Sequence, residues 1–346
     1  MTNKKLKSIK LEDLAKKLKV SKVTISKALR DHPDISDETK IKVKELAERM
    51  GYTPNFMAKN LSAKKSDIIG LVVPKLAHFF FGSIIESIYN TAFENNYETV
   101  ITVSQESAFR EKKHVQSLLA MRVDGLIISI TEHTKDYSLF EKIIDSSMPI
   151  VFIDRVPAIK NVPSVTVDDK GGAYSAVDHF IKQGITKIGH VGGYSHINIG
   201  KARRNGFIDA MQKNNIPINH SWVVEGGFGE EDGYSGFKKM FNGGSLPEAI
   251  FAVTYPVAIG IYEAANEVGV RIGKDIQVTC FGNNAFKHTV PSVFNFVDQP
   301  TVELGKNAVQ LLLDLIENPS SNRPRNIELK TRLLINGKDS INGLVA

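Results

Sequence analysis

LEDLAKKLKVSKVTISKALR, residues 11–30, decides how the start of this chain is read. Leu11, Leu14, Ala15 and Leu18 fall at i, i+3, i+4 and i+7, which is one apolar helix face. Lys19-Val20-Ser21 breaks the pattern, and serine caps helix N-termini through its side-chain oxygen. A second helix follows, with Ile25, Ala28 and Leu29 inward and Lys22, Thr24 and Lys27 outward. Two short helices joined by a tight turn, the second opening on polar side chains, predict a helix-turn-helix. Ala15 is small where the helices cross, and Val20 and Ile25 fill the space between them. Ser21, Lys22, Val23, Thr24, Ser26 and Lys27 lie at the end that can enter a major groove.

Downstream, Ser36-Asp-Glu-Thr39 opens a third helix with Ile41, Val43, Leu46, Ala47 and Met50 among its apolar positions, and Gly51 ends it. Tyr52 to Asn55 reads as a linker. Asn55 to Leu61 is amphipathic but too short to hold a helix alone. From residue 68 strand and helix alternate. Eleven strands are predicted, at 68–73, 98–103, 124–130, 149–154, 164–168, 187–192, 221–226, 249–253, 276–281, 293–297 and 328–335. Helical patterns fill most gaps. Such alternation predicts parallel sheets covered on both faces, and so many strands suit two doubly wound subdomains better than one sheet. The expected division is a DNA-binding head over 1–53, a connecting segment over 54–66 and an α/β body over 67–346.

Charge separates the same parts. Residues 1–65 hold 17 Lys and Arg against 8 Asp and Glu, a balance of +9. The rest holds 27 against 30, a balance of −3. A small basic segment on a slightly acidic body points to a polyanion as the head's partner. A composition of 42% hydrophobic and 24% charged residues excludes collagen, wholesale disorder and a disulfide scaffold. The single Cys280 leaves no intrachain disulfide. No apolar run reaches membrane-spanning length, and the charged N-terminus has no signal-peptide core, so a cytoplasmic protein is expected. No metal-ligand spacing, phosphate-binding loop, complete dinucleotide fingerprint or G-x-S-x-G occurs. Neither catalysis, nor a metal, nor a cofactor is expected.

VSKVTISKAL and ISDETKIKVKELAERMGYTPNFMAKNLSAKKSDIIGLVVP resemble the N-terminal part of the lactose repressor (LacI/GalR) family of bacterial transcription factors. The resemblance is dense over residues 10–74. It continues more loosely through PIVFIDR (149–155), VDDKGGAY (167–174), the segment around Arg203 to Phe207, PVAIG (256–260) and VDQP (297–300). It implies a helix-turn-helix head, a hinge helix, and a body of two subdomains similar to periplasmic sugar-binding proteins. Lys22, Val23 and Lys27 would then read bases, and Thr24 and Ser26 would bind phosphates. The family often has arginine where this chain has Lys27. Lysine lacks the planar fork that grips guanine, so operator preference does not carry over. Asn55, Ala58 and Leu61 match the hinge helix, with Leu61 as a minor-groove wedge.

In the body, the resemblance implies effector contacts at Phe80, Phe81, Asp168, Arg203 and Phe228. Relatives usually have Asn-Asp where this chain has Thr254-Tyr255, and Asp where it has Gly282-Asn283-Asn284. Thr254, Tyr255 and Asn283 are therefore candidates for a reshaped specificity, with a sugar or sugar derivative as the expected effector class. The implied protein is a homodimeric regulator, reading a palindromic DNA operator and modulated by a small molecule. A solute-binding protein for transport would share the body, but not the head. An α/β enzyme fused to a DNA-binding head would need a catalytic constellation that the sequence lacks. No heptad pattern follows Asn336, so no tetramerising coiled coil is expected.

Overall fold

The computed structural model describes residues 9–52, 65–76, 79–282, 293–318, 326–335 and 338–339. The hinge positions Asn55, Ala58 and Leu61, and also Asn283, lie outside these residues. The chain divides into two compact units, Met1–Ser66 and Asp67–Ala346.

The first unit contains α1 (Leu11–Leu18), α2 (Lys22–Ala28) and α3 (Asp37–Met50). Lys19 takes a left-handed backbone, φ 54°, that ends α1 and lets the Val20 N–H donate to the Ala15 carbonyl at 3.1 Å. Ser21 starts α2 by accepting a hydrogen bond from the Thr24 N–H at 3.0 Å. Gly51 closes α3 with φ 67°. Leu14, Ile25, Ala28 and Val43 are wholly buried and form the core shared by the three helices. Each large apolar side chain so buried contributes about 1.5–3 kcal/mol.

In the second unit the first sheet begins with β1 (Ile68–Val73), β2 (Glu98–Val103), β3 (Gly125–Ile128), β4 (Ile150–Ile153) and β5 (Ser164–Val167). The chain then builds most of a second sheet from β6 (Ile188–Gly192), β7 (Val223–Glu225), β8 (Ala249–Ala252), β9 (Gln277–Phe281) and β10 (Phe294–Asp298). It returns for β11 (Asn326–Leu329) and ends in β12 (Arg332–Ile335) and β13 (Lys338–Asp339). The sheet orders are β11-β5-β4-β3-β1-β2 and β13-β12-β10-β9-β8-β6-β7. All pairs in the first sheet are parallel; β12 and β13 make the second sheet mixed.

The helices cover both faces, as parallel sheets require. Ile69, Leu71 and Val73 of β1 face α4 (Phe79–Glu94) and α11 (Thr301–Glu317), while Val72 packs with α5 (Ala108–Ala120) and α6 (Ser138–Asp145). In the second sheet, Phe251 and Phe281 pack with α7 (Asp169–Lys182) and α8 (Asn198–Lys213). Ile250 and Val278 pack with α9 (Glu230–Asn242) and α10 (Tyr255–Glu267). These last two helices meet backbone to backbone. A Cβ on Gly260 would fall 1.8 Å from the Glu230 carbonyl oxygen, and one on Gly233 would fall 2.0 Å from that of Val257.

Three predicted features need correction. The expected strand 328–335 is two strands in different sheets, β11 parallel to β5 and β12 antiparallel to β10, with the crossover at Lys330-Thr331. The two halves carry similar apolar patterns, so periodicity does not mark the switch. The expected strand 221–226 shortens to β7, because His220–Trp222 forms a 3-10 turn opened by the Asn219 side chain. The second sheet is not wholly parallel, because β12 runs antiparallel to both β10 and β13.

Candidate functional site

Two sets of side chains stand out, one in each unit. In the head, Val23 is 63% exposed at the start of α2, although it is large and apolar. Lys22 beside it is exposed and ion-paired with Glu12 of α1. The Lys27 ammonium lies 2.7 Å from the Asp34 carboxylate. The Ser21 and Thr24 hydroxyls are hydrogen-bonded to each other at 2.9 Å. The first turns of α2 thus present two lysines, two hydroxyls and a methyl-bearing side chain to solvent. This is the chemistry needed for phosphates and base edges.

In the second unit a cavity of about 180 Å³ opens where strand ends converge. Lys75 follows β1, Glu106 follows β2, Asp154 and Arg155 follow β4, and Gln299 follows β10. Carboxyl ends of strands are where open α/β sheets take ligands, because chain reversals there leave a crevice. Of the residues singled out from sequence, Phe80, Phe81, Arg203, Phe228, Thr254 and Tyr255 line it. Asp168 does not. Its carboxylate is spent on the N-terminus of α7, accepting from the Gly171 N–H at 2.7 Å.

Arg203 is a strut as much as a wall. It is 2% exposed, and its Nε donates to Asp169 Oδ1 at 2.8 Å. Its Nη1 donates to the Val253 carbonyl at 2.7 Å, and the guanidinium lies 3.7 Å from the centre of the Phe281 ring. Thr254 is also partly committed: its hydroxyl donates to the Phe228 carbonyl at 3.0 Å and caps α10. Phe80 and Phe81 meet edge to face at 5.2 Å.

Sequence reasoning missed Lys75, Glu106, Asp154, Arg155, Phe281 and Gln299. One signal was present: Asp154-Arg155 puts two charges directly after an apolar strand, where burial has to be explained. Arg155 Nη1 donates to both Glu106 carboxylate oxygens at 2.9 Å and its guanidinium lies 4.7 Å from the Phe228 ring centre. Glu106 and Asp154 both hold left-handed backbones, φ 58° and 57°. Such conformations in non-glycine residues collect at functional sites. The Asn198 side chain joins the subdomains beside them. Its amide donates to the Asp154 carbonyl at 2.9 Å and accepts from the Val156 N–H at 3.0 Å.

Burial also sets the titration of this region. Asp154 is pushed up to about 6 by burial, against the lowering pull of Arg155 and Arg203. Glu111 is pushed up to about 7 by burial although it accepts from the Thr134 hydroxyl and the Thr131 N–H. His190 of β6 stacks between Phe207 and Phe251 at 5.2 and 4.9 Å, and burial drives its pKa down to about 4. An unfolded chain's histidine titrates near 6.5. Between those values the unfolded state binds a proton that the folded state refuses. The stability that His190 supplies at neutral pH is therefore lost as pH falls from about 6.5 to 4, by roughly 2–3 kcal/mol. Asp154 and Glu111 act with the opposite sign, losing stability as pH rises through their folded values. Urea denaturation of wild type minus His190→Gln across pH 4–8 isolates the histidine. A pH-independent difference would show that His190 protonates in the fold as freely as outside it.

Comparison with known proteins covers both units. Residues 10–55 match the family described as bacterial regulatory proteins, lacI family. Residues 177–337 match a periplasmic binding protein-like domain. Catabolite control protein A of Priestia megaterium is 27% identical over 306 residues, 88% of this chain and 92% of that protein. The ribose operon repressor of Haemophilus influenzae is 28% identical over 314 residues, 90% of this chain and 93% of that one. The crystal structure of the Lac repressor dimer bound to operator and an anti-inducer is similar with a TM-score of 0.82. It is 25% identical in sequence and covers 96% of this chain and 100% of that one.

Proposed function

The chain belongs to the lacI family of bacterial regulatory proteins, and from that premise we propose that α2 reads an operator while the strand-end cavity takes the small molecule that modulates it. The protein is a DNA-binding transcriptional regulator. The observation that carries the fuller reading is the presence, in one chain, of a helix-turn-helix with exposed Lys22 and Val23 and a cavity walled by buried polar side chains. A transport protein has no use for the first, and the relatives named above are regulators. No helix among the described residues is long and apolar enough to cross a membrane. We assign its action to the cytoplasm, where chromosomal DNA is.

The working unit in this proposal is a homodimer. One recognition helix reads only a few base pairs, and two related by a two-fold axis read a palindrome. Tyr89 and Phe93 of α4 and Ile101 of the edge strand β2 are exposed apolar side chains of the kind an interface between copies covers. The effector shifts operator affinity only by as much as it prefers one state of the dimer. A coupling of about 1–3 kcal/mol corresponds to roughly 5- to 150-fold.

Base reading by Lys22 and Val23 is tested by selecting operators from random DNA with wild type and with Lys22→Ala. The expected result is a relaxed or altered base at one position of each half-site, with discrimination there reduced by roughly 1–3 kcal/mol. An identical consensus from both proteins would remove Lys22 from the reading set. Fluorescence anisotropy on the selected operator, with sugars, sugar phosphates and nucleobases added in turn, then tests whether the cavity is coupled to DNA.

A further inference from the structure

The buried charges of the second unit do not balance. Among the described residues Glu106, Glu111, Asp154 and Asp169 are buried carboxyls, and Arg155 and Arg203 are the buried guanidiniums. Arg155 is matched by Glu106 and Arg203 by Asp169. Glu111 accepts from Thr131 and Thr134. Asp154 remains. It is 5% exposed and lines the cavity within the field of Arg155 and Arg203, and no described residue donates a hydrogen bond to its carboxylate. A buried carboxylate without a donor is costly, and protonation or a cationic partner relieves it. Burial pushes its pKa only to about 6, which leaves it mainly charged at neutral pH. A second orphan stands in the same wall: Gln299, 6% exposed, has an Nε2 with no acceptor. Lys75 and Glu230 also line the cavity, but they are less buried and opposite in sign, so they leave the interior balance unchanged.

Resting on the reading of this cavity as the effector site, we propose that the effector is an amine-bearing sugar whose ammonium group pairs with the Asp154 carboxylate and whose ring oxygens meet the Gln299 amide. The ammonium brings positive charge and donors to the one buried carboxylate that accepts no hydrogen bond from a described residue. A hydroxyl or ring oxygen supplies the acceptor that Gln299 Nε2 lacks. The apolar face of a saturated ring packs against Phe80 and Phe228, as sugars do on aromatic side chains. A hydroxyl of a neutral hexose can donate to Asp154, but it adds no positive charge against the surplus of buried carboxyls. An N-acetylated amino sugar would put a bulkier, uncharged amide there.

Isothermal titration of the full chain at neutral pH tests this with glucosamine, galactosamine and mannosamine, each against its parent hexose and its N-acetyl derivative. The expected result is that at least one amine binds about tenfold or more tightly than both counterparts, the size of a charge-assisted hydrogen bond. Asp154→Asn should reduce that amine to the affinity of its parent hexose, and Asp154→Ala should do the same. Melting curves confirm that each variant is folded. The amine-over-hexose ratio in wild type stands whether or not they are. Equal or tighter binding of a hexose or N-acetyl sugar, no binding by any amine, or a preference that survives in folded Asp154→Asn overturns the proposal. Hexose binding that shifts operator affinity without amine preference would overturn it while leaving the cavity as the effector site.

Discussion

Operator affinity is expected to fall at least about 10³-fold when the chain is shortened to begin at Lys65. Specific sites are bound about 10³–10⁷ times more tightly than non-specific DNA, and the groups able to make that difference are all in the removed part. Residues 1–65 carry a balance of +9 against −3 for the remainder. The exposed Val23 and the Lys22 and Lys27 side chains, held by Glu12 and Asp34, are poised to exchange carboxylates for phosphates or bases. Each phosphate neutralised releases counterions, so log affinity of the full chain should fall by about 0.9 per contact with log salt. The shortened chain should show neither the affinity nor the slope. Anisotropy titrations at several salt concentrations decide it, and retention of full operator affinity would move the DNA site into the body.

Arg203→Ala is expected to cost the second unit about 3–5 kcal/mol, the penalty for stranding one member of a buried ion pair. Asp169 is 6% exposed and would lose the partner that Nε and Nη2 now supply, and the Val253 carbonyl would lose its donor. Removing both charges in Arg203→Met/Asp169→Leu should be less damaging than the single change, because no charge is left unpaired. Urea unfolding followed by near-UV circular dichroism measures both. A single variant within about 1 kcal/mol of wild type would mean that water reaches Asp169 and that the pair is structurally dispensable. A lost ligand response in Arg203→Ala would therefore report folding as well as contact. Phe228→Leu, which removes a ring and no charge, tests the cavity wall more cleanly.

The head was almost wholly legible because every feature that builds it is local. The i, i+3, i+4, i+7 spacing of Leu11 to Leu18, the Ser21 and Ser36 caps and the Gly51 stop act within one turn of the residues they organise. The alternation of apolar strands and amphipathic helices likewise determined the class of the body, since period is a property of neighbours along the chain. The aromatic half of the cavity wall was legible through the family resemblance: Phe80, Phe81 and Phe228 line one cavity. Of its charged half only Arg203 was. Glu106 meets Arg155 across 49 positions and Arg203 meets Asp169 across 34, and no local pattern announces a partner that far away. The placement of Asp168 at a helix end and Asp169 inside the protein separates two adjacent, chemically identical residues. The split of 328–335 between two sheets was decided the same way, by which strand edges β11 and β12 found in space. Sequence determined the elements through short-range periodicity and capping. Tertiary structure alone decided the pairings, because hydrogen-bond and charge partners are chosen after distant segments are brought together, and it thereby left the buried Asp154 carboxylate with no hydrogen bond from a described residue.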